Sequence, residues 1–139
     1  MLLKSRFGWL SVGLLVSLVV VLDQVSKWQA TQTTINPGVG LGLAAQFISQ
    51  QQLAFGTVGI LIVLWVVAQA WWQRSVVATG LFFGGAISNV LDRLLYGGVR
   101  DWLVLPGTGL HNNVADWAIF FGLAWLLRLS LATAAKGQQ

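Results

Sequence analysis

Long apolar runs, each bounded by polar or charged residues, set the frame of this chain. Phe7 to Leu22 carries no charged side chain, and a helix there extends through Asp23 to about Trp28. Leu53 to Trp72 is a second uncharged run, long enough at about 1.5 Å per residue to cross the roughly 30 Å of a bilayer core. Ser75 to Leu91 follows after only Gln73 and Arg74, so the second and third runs predict a tight antiparallel hairpin. The fourth run starts near Asn113 and ends near Ala132, with Asp116 near one end and Arg128 near the other. The pattern predicts an all-α polytopic membrane protein, one domain over 1–139, with transmembrane helices at about 7–28, 53–72, 75–95 and 113–132.

Two stretches fall outside the bilayer in this reading and would form a small extracytoplasmic cap. Gln29 to Gln52 is charge-free and rich in Gln, Thr and Gly; Asn36-Pro37-Gly38 marks a turn there. Gly38, Gly40 and Gly42 then alternate with Val39, Leu41 and Leu43, an alternation that allows a short extended or interfacial segment. Tyr96 to Asn112 holds Arg100, Asp101 and the turn Pro106-Gly107-Thr108-Gly109. No internal repeat or linker divides the chain.

Charge orients the bundle. The formal net charge of +4 could point to nucleic acid or an anionic substrate, but the basic residues are scattered and read better as topology determinants. Lys4, Arg6, Arg74, Arg128 and Lys136 fall on one side, which places both termini in the cytoplasm. Lys27, Arg93 and Arg100 fall on the other, each close in sequence to an aspartate. The basic start and apolar core resemble a signal peptide, yet Leu22-Asp23-Gln24 follows with no small-residue cleavage pattern, so a retained first helix is expected. Trp9, Trp28, Trp71, Trp72, Trp102 and Trp117 flank the apolar runs and suggest interfacial belts.

Composition then narrows the chemistry. The chain has a mean hydropathy of +0.74 and only 9% charged residues, and it has no cysteine and a single histidine, His111. Disulfides, thiolate catalysis, cysteine-ligated metal and a histidine-rich metal site are excluded, and no cofactor is expected. The acidic residues are Asp23, Asp92, Asp101 and Asp116, without a glutamate, and all four fall at the outer edge of an apolar run. Ionisable groups at membrane depth are costly, so each is a functional hypothesis.

Asp101 and Asp116 are the pair expected to carry chemistry. A loop turning at Pro106-Gly107 can bring them together at the membrane surface. Two carboxylates at hydrogen-bond distance share a proton, one activating water while its protonated partner polarises a carbonyl. The plainer readings are a helix-dipole position for Asp116 and a solvated loop carboxylate paired with Arg100 for Asp101. Gly85, Ser88, Asn89 and Asp92 share one helical stripe, either a packing seam or a functional polar face, and Gly84 with Gly85 would admit a close helix. Asp92 beside Arg93 suggests a charge-compensated helix end. Asp23 and Lys27, at i and i+4, would form an ion pair, structural or substrate-positioning.

At these residues the chain resembles the lipoprotein signal peptidases (signal peptidase II), four-helix intramembrane aspartyl proteases of bacteria. Four blocks carry the likeness: Leu22-Asp23-Gln24-Val25-Ser26-Lys27; Asn36-Pro37-Gly38-Val39-Gly40-Leu41-Gly42; Gly84-Gly85-Ala86-Ile87-Ser88-Asn89-Val90-Leu91-Asp92-Arg93 continued by Gly98-Val99-Arg100-Asp101-Trp102; and Asn113-Val114-Ala115-Asp116-Trp117-Ala118-Ile119. The resemblance implies Asp101 and Asp116 as the catalytic pair, with Asn89, Arg93 and Asn113 positioning substrate and supporting the pair. It implies Asp23, Lys27, Asn36 and Asp92 as further polar positions of the active site or its frame. The implied reaction removes the signal peptide of a diacylglyceryl-modified prolipoprotein just before the lipidated cysteine, in the bacterial cytoplasmic (inner) membrane with the site facing outward. Membrane lipids and the precursor are the expected partners of a monomer that takes no nucleic acid.

The chain departs from the family pattern in its cap. Only 12 residues lie between Asp23 and Asn36, the Asp101–Asp116 loop is short, Ser88 replaces a glycine, Val39-Gly40-Leu41 replaces Ala-Ala-Phe, and Trp102 replaces a phenylalanine. These changes bear on the clamp over the substrate. A small cation-coupled transporter is a rival reading, but it calls for a carboxylate near the bilayer midplane. A non-enzymatic assembly factor descended from the peptidase is another, against which the complete pair of aspartates argues.

Overall fold

The computed structural model describes residues 2–38, 48–67 and 69–136. Their elements, in chain order, are α1 (Leu2–Gln29), β1 (Thr34–Asn36), α2 (Gln50–Val67), α3 (Gln69–Trp72), α4 (Val76–Tyr96), β2 (Val99–Asp101), β3 (Leu103–Val104), β4 (His111–Asn112) and α5 (Val114–Lys136). The Val39-Gly40-Leu41 part of the expected alternating segment lies outside the described residues.

The helices keep the expected order with shifted ends. α1 begins before Phe7 and α5 runs beyond Ala132. The run expected as one helix over 53–72 is α2 followed by the four-residue α3. Trp72, expected at a lipid interface, is instead 1% exposed, because its indole Nε1 donates to the Leu64 carbonyl at 2.7 Å and its ring packs against Phe82 and Phe83. By length and composition α1, α2 and α5 can each cross a membrane, over Gly8–Gln29, Gln50–Val67 and Val114–Ala135. α4 falls short of that measure, since glycines, Thr79, Ser88, Asn89, Asp92 and Arg93 dilute its apolar content.

α4 is nonetheless the hub, because its small residues let neighbours close in. A Cβ added at Gly84 would lie 2.7 Å from the Val19 Cβ on α1. One at Gly85 would collide with the Ala115 carbonyl on α5, and one at Gly122 of α5 would lie 2.7 Å from the Ala78 carbonyl on α4. The two adjacent glycines thus serve two different helices. Ser75 caps the start of α4 by accepting from the Ala78 N–H at 3.2 Å, and Gly97 ends it in the left-handed conformation at φ 70°. The apolar core gathers Leu61, Trp72, Ala78, Phe83, Ala86 and Leu126 toward the α3 end of the bundle.

The other end is polar and carries short strands that an all-helical reading leaves out. β1 pairs antiparallel with β2, register Thr34↔Asp101, Ile35↔Arg100 and Asn36↔Val99. β3 and β4 form a hairpin, Leu103↔Asn112 and Val104↔His111, closed by the turn in which Gly107 and Gly109 adopt φ 78° and 67°. Such short strands, largely glycine- and threonine-flanked, give too little periodicity to be read from sequence.

Candidate active site

Lys27 anchors the polar end. It is 2% exposed, and its ammonium reaches Asp23 Oδ2 at 2.6 Å, Asp92 Oδ2 at 2.9 Å and Asn89 Oδ1 at 3.3 Å. Asp92 is also met by the Arg100 guanidinium at 2.8 Å and the Arg100 backbone N–H at 2.9 Å. Two carboxylates and two cations therefore neutralise one another, as buried charges must. Asp23 gives its remaining oxygen, Oδ1, to the Ala115 N–H at 2.8 Å and so holds the first turn of α5 against α1.

This frame differs from expectation in its pairing. Asp92 is compensated by Lys27 and Arg100, while Arg93 donates to the carbonyls of Asn89 at 3.3 Å and Gly38 at 3.0 Å. Adjacent helical residues point about 100° apart, so Asp92 and Arg93 face different neighbours. Gln24 was given no role of its own by the sequence, yet it donates to Ser88 Oγ and Asp92 Oδ1, each at 2.9 Å, and accepts from Arg100 at 2.6 Å. An amide in the last turns of an otherwise apolar helix is the signal that marks it.

Asn113 links the two aspartates. It sits just before Val114, and its Oδ1 accepts from the Asp116 N–H at 2.9 Å, which is the side-chain capping of a helix start. Its Nδ2 then donates to Asp101 Oδ1 at 2.6 Å. Asn36 Nδ2 donates to Asp101 Oδ2 at 3.1 Å across the β1–β2 pair, while Asn89 Nδ2 donates to Asp116 Oδ1 at 2.8 Å. The Asn89 amide passes the hold of Lys27 on to Asp116.

Asp101 is therefore not the solvated loop group that was one alternative. It ends β2, is 2% exposed, and Arg100 is engaged with Asp92 instead. Burial pushes the Asp101 carboxyl above its ordinary range; the bonds from Asn113 and Asn36 and the charge of Lys27 oppose that rise, and the charge of Asp92 adds to it.

Asp101 and Asp116 both line a cavity of about 580 Å³. One part of its wall is polar, with Asn36, Asn89 and Arg93; another is apolar, with Ile35, Val99, Leu105 and Leu110. Arg93 is largely buried there, and its Nε has no partner among the described residues. All expected site residues thus converge on one end of the bundle. Asp101, Asp116, Asn89, Arg93 and Asn36 line the cavity, Asn113 binds the two aspartates from behind, and Asp23, Lys27 and Asp92 form the frame beneath. Two carboxylates, Asp101 buried and Asp116 half-buried, in a cleft with mixed walls are equipped for acid–base hydrolysis of a peptide bond.

This fold and site are those of a membrane-embedded hydrolase, and the comparisons agree. Two solved bacterial membrane enzymes share the fold, one with a TM-score of 0.65 at 21% identity over 92% of this chain and 91% of the other, the second with 0.63 at 28% over 86% and 91%. The profile of signal peptidase (SPase) II matches residues 15–132. A lipoprotein signal peptidase of Polynucleobacter necessarius is 30% identical over 88% of both chains, and one of Rhodopseudomonas palustris is 35% identical over 84% of this chain and 73% of its own. The chain belongs to the signal peptidase II family and is a peptidase.

Proposed function

We propose that this protein removes the signal peptide of diacylglyceryl-modified prolipoproteins by aspartyl hydrolysis, cutting before the lipidated cysteine. Asp101 and Asp116 are the catalytic pair in this reading. The single observation that carries it is Asn113, whose one side chain caps the Asp116 turn and binds Asp101, bringing both carboxylates to one cavity. The family membership and the named relatives support the substrate class.

The chemistry follows from one proton shared by two carboxylates. The ionised member takes a proton from water, and the water oxygen bonds to the carbonyl carbon of the scissile peptide. The protonated member hydrogen-bonds the carbonyl oxygen and transfers its proton as the tetrahedral species forms. On collapse the C–N bond breaks, the nitrogen leaves with a proton from the pair, and a carboxylic acid and an amine are released. The pair titrates as a unit. Asn89, Asn113 and Asn36 orient the two acids, and Arg93 offers its free N–H to a substrate carbonyl in the cavity.

In this reading α1, α2, α4 and α5 all span the bacterial cytoplasmic membrane as one domain, both termini lie inside, and the polar end faces outward. The asymmetric placement of the cations supports that topology. The apolar wall beside the pair suits a bond held at the membrane surface by its lipid. All four aspartates lie near one end of the bundle, which leaves a transporter without a midplane carboxylate.

The test supplies purified protein in lipid with a diacylglyceryl-modified prolipoprotein and follows the mass shift of cleavage. Wild type cleaves, whereas Asp101→Asn and Asp116→Asn each lose at least about a thousandfold in rate while accumulating in the membrane. Cleavage retained by either variant would sink the catalytic assignment.

A further inference from the structure

A second cavity, of about 820 Å³, adjoins the first and shares Thr34, Asp101 and His111 with it. Its wall is different in kind. The charge-free stretch from Gln29 to Thr34 contributes hydroxyls and amides, and Trp102 faces it from the residue after Asp101. Among the described residues, Asp101 and His111 are its only ionisable lining groups. The main chain of Trp102 is fixed, its N–H donating to the Asn112 carbonyl at 3.0 Å. Its indole Nε1 is buried and has no acceptor among the described residues. A buried donor normally finds a partner, so an unmet one beside a polar cleft calls for an acceptor from outside the chain.

Hydrolysis at the pair of aspartates has two sides. The leader is apolar, as is the lipid on the cysteine that begins the other side, and the Ile35, Val99, Leu105 and Leu110 wall of the first cavity matches that character. Past that lipidated cysteine the mature polypeptide is bound for water and presents backbone carbonyls and N–H groups. We propose that the second cavity binds this mature side of the precursor as an extended chain, with the Trp102 indole N–H donating to one of its carbonyls. The inference rests on the peptidase reading and adds a specificity determinant to it. Trp102 acts as a positioning residue that holds the segment after the cleavage point and thereby sets the bond against Asp101.

Two lipidated precursors separate the possibilities: one with a full mature chain, and one ending as an amide one residue after the modified cysteine. The readout is the ratio of kcat/KM for the long over the short substrate. Trp102→Phe keeps the ring and removes the donor, and the ratio falls about three- to tenfold, the worth of one neutral hydrogen bond. The loss appears in KM of the long substrate. Thr33→Trp, at an exposed position, fills the cavity independently and lowers the same ratio. A ratio unchanged in both variants, or rates on both substrates falling together, overturns the inference while leaving the peptidase intact. Wild type that cleaves neither substrate overturns the peptidase reading, and this inference with it.

Discussion

α2 and α4 lie side by side and solve opposite problems. α2 is apolar nearly throughout and turns most of itself outward: Phe55, Ile60, Ile62, Val63, Val66 and Val67 are exposed, and among its described residues only Ala54 and Leu61 are buried. α4 buries twelve residues, among them Thr79, Ser88, Asn89, Asp92 and Arg93. In water that distribution would be inverted. In lipid the outside is where apolar side chains belong, and the interior is where polar groups can find partners. Hydropathy therefore ranks helices by their exposure to lipid, and it underrates the one whose buried polar residues frame the candidate site.

The contrast is broken most severely at Lys27. Its ammonium holds Asp23 and Asp92 together from α1 and α4. Lys27→Met leaves two buried carboxylates facing each other with one cation fewer, a loss of about 3–5 kcal/mol. Thermal unfolding in detergent should show it as the largest drop in Tm of any single substitution in the frame. A change within a degree or two would mean that the network is solvated and only decorates the bundle.

Glycines give the next test, with opposite signs on the two helices. Gly85→Ala pushes a methyl into the Ala115 carbonyl, so α4 and α5 must part, at about 1–3 kcal/mol. Gly59→Ala on α2 meets nothing within 4 Å and adds up to about 1 kcal/mol through helix propensity. Equal effects in a paired stability measurement would show that α4 is not packed more closely than α2.

Much of this arrangement was legible in the residues because it depends on local spacing. The Asp23–Lys27 pair follows from i and i+4, the Asn89–Asp92 stripe from helical periodicity, and the close approach of a helix to α4 from Gly84 and Gly85. What was not legible depends on which chain segments meet. The β1–β2 pairing joins residues some 65 positions apart and puts Asn36 on Asp101, and no short-range pattern encodes it. Nor does any pattern say that Arg100 will turn to Asp92 while Arg93 reaches Gly38. Trp72 misled for the same reason: a tryptophan at the end of an apolar run looks interfacial until a neighbour offers it a carbonyl.

The finest distinction is between polar residues that hold α4 in place and those that tune the chemistry. Asn36 lies on a strand, outside the helices, and donates to Asp101 Oδ2. Its bond favours the ionised carboxylate, opposing the upward push of burial. Asn36→Ala removes that opposition, so the Asp101 proton is held to higher pH. On the proposed mechanism, the shared-proton form of the pair then persists further into the alkaline range. The upper limb of the pH–rate profile should move upward, while the melting temperature changes far less than in Lys27→Met. A limb that moves downward would mean Asn36 stabilises the protonated acid. A limb that stays still while Tm falls would make Asn36 a structural tie between β1 and β2, and the division between frame and chemistry would then have to be drawn elsewhere.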